Sequence, residues 1–379
     1  MIFDYETMRL IWWALLGALL IGFAITGGFD LGVAILLPFL GKNDTERRVI
    51  INSVGATWEG NQVWFVTAGG ALFAAWPMAY AVAFSGFYFA LLLTLFALFL
   101  RPIGFDYRSK LPSQKWRDYW DIALFAGGFV PALILGVAFG NLLQGVPFHF
   151  DNDMRIFYTG SFWALLNPFA LAAGLLSLAM LIMHGAVFLQ LKTEGDINQR
   201  CKKVVTVSAI LTLVIFALAG IWVANIDGYH ISSEVLPNAP SNPLAKMVSK
   251  EPGLWLDNYA RYPVLWVVPG LAFIAGAVTL MLSKNERPGL AFITSSITLA
   301  SVILTAGVSM FPFMIPSSSA MNSSLTVWDA SSSLTTLKIM FLVTVIFLPI
   351  VVAYTSWVFR VLRGKITLEH IHQNDHTAY

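Results

Sequence analysis

The sequence predicts an all-α, polytopic membrane protein with about nine transmembrane helices. Three observations carry that reading. The 379 residues are 57% hydrophobic and only 12% charged, roughly half the charge of an average globular chain. Nine apolar runs reach the roughly 20 residues needed to cross a hydrocarbon core. The cations are also lopsided: 17 of the 23 Lys and Arg fall in or beside 41–49, 101–118, 191–202, 284–288 and the C-terminal tail. Cations favour the cytoplasmic side, which places the N-terminus in the periplasm and the C-terminus in the cytoplasm.

The spans run at roughly 10–40, 50–76, 79–101, 119–141, 160–190, 203–225, 263–283, 289–312 and 335–361. MIFDYETMR leads directly into the first, with no cleavable signal pattern. Gly27 and Gly28, just before Asp30, predict a helix break whose released backbone groups need a partner. The second span opens on Trp58-Glu59-Gly60-Asn61-Gln62-Val63-Trp64. It continues with Gly69, Gly70, Ala74 and Ala75, small residues that let helices approach closely. RPIGFDYRSK follows the third span. The outer segments 142–159, 226–262 and 311–334 are long; the turn residues of PNAPSNPL make the middle one a loop, and the last reads as an ordered loop on the outer face. Short connections favour antiparallel neighbours. Eight spans therefore group as two four-helix bundles, 1–141 and 142–334, with a ninth helix and tail at 335–379.

Depth singles out two acids. Glu59 lies eleven residues past Arg48, roughly 16 Å inward at 1.5 Å per residue. Asp30 lies twelve residues before Lys42, roughly 18 Å inward. Both fall near the midplane, with no Lys or Arg expected at that depth. An ionisable residue inside a membrane is functional by default, and a pair of carboxyls suits proton transfer; the plainer role is a buried acid bonded to a bent backbone. Asp106 and Lys110 would extend a stepwise route to the cytoplasm, or simply anchor a solvated loop. Trp58 and Trp64 flank Glu59, where flat rings could support a quinone headgroup, line a passage for a small apolar molecule, or only fill a bundle.

Other chemistries find little support. A haem between helices needs His, often two; of six histidines only His184 is inside a span, and it reads first as a hydrogen-bonded core residue. The single Cys201 excludes an internal disulfide or a cysteine metal cluster. The tail's IHQND could mimic a metal site but reads as solvated, so no metal site is expected. No nucleotide-binding or hydrolase motif is present, and the net charge of +2 points to no nucleic acid.

The residues resemble subunit II of the cytochrome bd-type quinol oxidases end to end. The resemblance is carried by YETMRLIWW, GFDLGV, NDTERR, WEGNQVWFVTAGGALFAAWP, FSGFY, RPIGFDYRSK, AFGNLLQGVPF, LNPF, NIDGY, ILTAGVSMFPFMIPSSS, SLTVWDASSS, LPIVVAYTSW and the final HTAY. It implies a haem-free inner-membrane subunit of an enzyme that oxidises quinol and reduces dioxygen to water. The haems b and d would belong to the partner, subunit I; this chain would bind subunit I, hold a structural ubiquinone and lend proton and oxygen paths. A small single-span accessory subunit is a further implied partner. Carried over by position, the proton path comprises Asp106, Lys110 and Tyr379 at its mouth, with Glu59 and Asp30 deeper, while Trp64 marks the oxygen path and Trp58 adjoins Glu59. Two positions depart from the family pattern: Gly27 stands where Asp is frequent, and Glu59 where Asp is frequent. The competing reading is a stand-alone ion-coupled permease, since glycine-broken helices with acids at mid-depth are a transporter pattern.

Overall fold

The computed structural model describes residues 3–367 and 369. Helices α1 (Tyr5–Leu40), α2 (Asp44–Gly55), α3 (Trp58–Ala75), α4 (Pro77–Gly86), α5 (Tyr88–Tyr107) and α6 (Gln114–Gln144) form the first part of the chain. They are followed by α7 (Pro168–Lys192), α8 (Gly195–Val223), the short α9 (Asp257–Arg261), α10 (Val267–Lys284), α11 (Pro288–Met310) and α12 (Leu334–Val361). Among the described residues, eight helices are long and apolar enough to cross a membrane. The ninth predicted crossing contains α3, whose polar opening lowers its hydropathy.

Helix starts follow local chemistry. Asp4, Asn43, Asn167 and Ser333 each accept a hydrogen bond from the backbone N–H three residues on, satisfying a donor the helix leaves over. Pro77, Pro168 and Pro288 occupy first turns, where a missing N–H costs nothing.

The expected break at Gly27 and Gly28 does not occur; α1 runs unbroken through both. Glycine there serves packing instead. A Cβ on Gly32 would lie 2.1 Å from the Leu181 carbonyl oxygen, and one on Gly185 would lie 2.6 Å from the Gly32 carbonyl carbon, so α1 and α7 meet backbone to backbone. Gly69 and Gly70, expected to mediate such contact, have no atom within 4 Å of an added Cβ. The real interruption lies at Ala56–Thr57, between α2 and α3.

α1 is the central helix, packed against α3, α6, α7 and α11. At the Lys/Arg-rich end, Asp121 joins α6 to α2 and α5: it accepts from Arg108 Nε at 2.6 Å and Nη2 at 3.1 Å, and from Arg47 at 2.7 Å. Asp44 adds ion pairs to Arg108 at 3.0 Å and Arg117 at 2.7 Å.

The opposite face carries three antiparallel hairpins: β1 (Phe148–Phe150) with β2 (Ile156–Tyr158), β3 (Asp227–Ile231) with β4 (Val248–Pro252), and β5 (Phe313–Ile315) with β6 (Leu325–Thr326). Buried Arg9 pins the proline-rich loop to α1. Its guanidinium donates to Pro237 O at 2.5 Å, Ala239 O at 3.2 Å, Ser241 Oγ at 3.0 Å and Ser331 Oγ at 2.8 Å. A buried Lys246–Asp329 pair at 2.9 Å ties the middle loop to the last.

Candidate functional site

The polar centre is assembled where α3 begins beside α1 and α5. Asn61, in the first turns of α3, donates from Nδ2 to Asp30 Oδ2 at 2.8 Å. Asp30 is 0% exposed and Asn61 3%. Asp30 Oδ1 has no hydrogen-bond partner among the described residues.

A cation is present after all. Arg101, 0% exposed, interacts electrostatically with Asp30, which overturns the expectation that both acids lack one. Arg101 is a full turn inside α5, not in the loop, because the apolar run continues to Phe105. Gly127 on α6 makes room, since a Cβ there would meet Arg101 Cγ at 2.7 Å. The guanidinium carbon stands 5.4 Å from the Trp58 ring centroid, and Trp58 stacks on Phe105 at 5.2 Å. None of the three guanidinium nitrogens is bonded among the described residues, nor is Gln62 Nε2. Gln62 lies one turn beyond Trp58 on the same helix face. These buried donors require an acceptor.

Glu59 belongs to a different surface. It is exposed and lines a groove of about 1010 Å³ between α1, α3 and α12, together with Gly60, Asn61, Trp64, Phe347 and Tyr354. Among the described residues its carboxyl has no ion pair or hydrogen bond. Trp64 lies flat over Gly22 of α1, where an added Cβ would sit 2.7 Å from the indole. The two tryptophans are thus separated: Trp58 faces α5, and Trp64 faces α1 and the groove.

Asp106 and Lys110 are exposed in and just after the last turn of α5. Tyr379 lies outside the described residues. His184 is a core residue: Nε2 lies 2.9 Å from Ile25 O, Nδ1 lies 2.8 Å from Ser295 Oγ, and the ring stacks on Phe292. Both ring nitrogens thus have hydrogen-bond partners inside the helix core. Cys201 is buried and unbridged.

Sequence reasoning missed Arg101 and the part played by Asn61. A signal for Arg101 existed in the apolar residues that follow it; nothing in the sequence indicates that Asn61 turns toward Asp30.

Comparison with known proteins gives one consistent picture. Residues 8–362 match the family model for cytochrome bd terminal oxidase subunit II. The chain is 54% identical to the Escherichia coli K12 cytochrome bd-I ubiquinol oxidase subunit 2 over 377 residues, covering 99% of this chain and 100% of that one. It is 52% identical to the probable cytochrome oxidase subunit 2 of Haemophilus influenzae, again over 99% and 100%. The fold matches a chain of the bd oxidase structure from Geobacillus thermodenitrificans with a TM-score of 0.66 at 18% identity, covering 94% of this chain and 98% of that one.

Proposed function

This chain belongs to the cytochrome bd terminal oxidase subunit II family, and from that premise we propose how it serves the enzyme: it braces haem-bearing subunit I, holds a quinone and conducts protons toward the oxygen-reducing centre. It is a multi-pass inner-membrane subunit of an oxygen-reducing complex, not a catalyst alone. The haems b and d are assigned to subunit I, and quinol is the reductant. The division into two four-helix bundles and a ninth helix is part of the same proposal; α6 ends at Gln144 and α12 begins at Leu334, close to the expected borders.

Docking is supported by surface. α12 buries only Leu337, and Gly60, Gly69 and Gly70 of α3 each have no atom within 4 Å of an added Cβ. Small residues on an open membrane helix admit a close partner.

The quinone assignment rests on the unbonded buried donors of Arg101 and Gln62. A quinone offers two carbonyl oxygens that accept hydrogen bonds. Arg101 and Gln62 would hold them, with the Trp58 ring as a flat support. Burying a guanidinium without acceptors is costly, so a ligand with acceptor oxygens stabilises this arrangement.

The proton assignment rests on one observation above the others: Glu59 stands unpaired and exposed in an intramembrane groove that the partner can cover. Asp106 and Lys110 would gather protons at the Lys/Arg-rich end, with Tyr379 beside them. Glu59 would pass them inward, and Asp30 is the second proton-holding group. Trp64 lines the same groove and is the residue assigned to an oxygen path. The decisive test is quinol-oxidase turnover of the Glu59→Gln complex. Haem content should match the parent while turnover falls about a hundredfold, the lower end for losing one acid–base group. Unchanged turnover removes Glu59 from the mechanism. A colourless, single-chain species on gentle purification would instead favour the permease.

A further inference from the structure

Asp30 and Glu59 look like successive stations on one route, but Asn61 stands between them. Its outer side lines the groove that Glu59 occupies, and its Nδ2 donates to Asp30 Oδ2 at 2.8 Å. An amide NH2 is a donor only. To relay a proton it would have to accept one on its carbonyl oxygen and release another from nitrogen, forming the imidic-acid tautomer. Water, hydroxyl, carboxyl and imidazole groups relay without that rearrangement. The contact that joins the groove to Asp30 is therefore closed to protons.

The inner side differs. With Oδ2 engaged, Oδ1 is the oxygen left to take a proton, and it has no partner among the described residues. Arg101 from α5 supplies the nearby charge. The other titratable group packed on this stretch of α1 is His184 from α7, about a turn earlier, with both nitrogens engaged. Protonation at Oδ1 takes the Asp30–Arg101 pair from net zero to a single positive charge, the proton arriving as hydronium from the Arg101 side.

We propose that Asn61 is an insulating residue. It holds Asp30 on the Arg101 side and shuts it off from the groove, so that Asp30 and Glu59 exchange protons independently. Asn61 acts through Asp30 and is a positioning residue. The inference refines the proton reading above by making Asp30 a branch and not a link.

Infrared spectroscopy of the assembled complex tests this. The Asp30 carboxyl C=O band is assigned by its loss in Asp30→Asn, and its shift is followed after transfer to D2O. In Glu59→Gln the exchange rate should stay within about twofold of the parent. In Asn61→Ala it should rise about tenfold or more, the factor for losing one hydrogen bond to a charged group. Asn61→Gln, which keeps an amide donor, should restore slow exchange and guards against a folding artefact. Slowed exchange in Glu59→Gln would put the two acids in series and overturn the proposal. So would unchanged exchange in Asn61→Ala, or the absence of any Asp30 band between about pH 4 and about pH 9, the span over which buried carboxyls titrate. Turnover and exchange are separate readouts: unchanged turnover in Glu59→Gln ends Glu59's role and leaves the insulation of Asp30 standing.

Discussion

Replacing Gly32 by Ala places a methyl 2.1 Å from the Leu181 carbonyl oxygen and 3.0 Å from Gly185 Cα. Both obstacles are backbone, so no rotamer relieves the overlap and α1 must move away from α7. Overpacking of this kind costs about 1–3 kcal/mol, here toward the upper end. The shift also strains the 2.9 Å His184–Ile25 bond, a loss of about 1 kcal/mol. Alanine's better helix propensity returns at most about 1 kcal/mol. The net is about 2–3 kcal/mol, roughly 30- to 150-fold in an equilibrium constant. The assay is the rate at which the purified complex loses its native haem absorbance at a fixed elevated temperature, where an irreversibly unfolding protein is characterised by a rate. Gly220→Ala on α8 is the control, since nothing lies within 4 Å of its added Cβ. Gly32→Ala should unfold at least about tenfold faster and the control within about twofold. Equal rates in the two variants would refute the backbone contact.

Three further outcomes are expected. Asp121→Asn strips the shared carboxylate from Arg108 and Arg47 and should destabilise the complex by about 3–5 kcal/mol; the same kinetic assay reads it, and a loss under about 1 kcal/mol contradicts a buried cluster. Burial, then Asp227, pushes the Tyr229 phenol above its ordinary value of 10.0. The folded state thus keeps a proton that the unfolded chain loses, so stability should fall as pH rises above about 10; Tyr229→Phe should flatten that dependence in a pH series of unfolding rates, and an unchanged slope would exclude Tyr229 as its source. Arg101→Leu should cut the quinone recovered by solvent extraction of the pure complex about tenfold, as for losing a charged hydrogen bond; full recovery would place the quinone elsewhere.

The spans were legible because length and apolarity are local properties that a membrane reads directly. α3 was legible as a site because acid and amides are unusual there. What lay beyond reach concerns direction. Gly69–Gly70 and Gly32 look alike in sequence, yet only Gly32 meets another backbone. Gly27 and Gly28 resemble a break, but α7 and its neighbours support α1 through it, while the real interruption at Ala56–Thr57 has only Gly55 to mark it. Arg101 resembles a loop cation because Pro102 follows; its side chain turns inward only because Gly127 on another helix leaves space. The outer hairpins, with strands of two to five residues, are too short for alternation to stand out.

The most direct measurement is proton uptake during a pulse of dioxygen given to the reduced complex, comparing the parent with Glu59→Gln and Glu59→Asp. Uptake should slow about a hundredfold in Glu59→Gln and recover in Glu59→Asp, since only the latter keeps a titratable carboxyl. Parental uptake in Glu59→Gln, with haem content intact, would contradict the groove acid as the proton carrier.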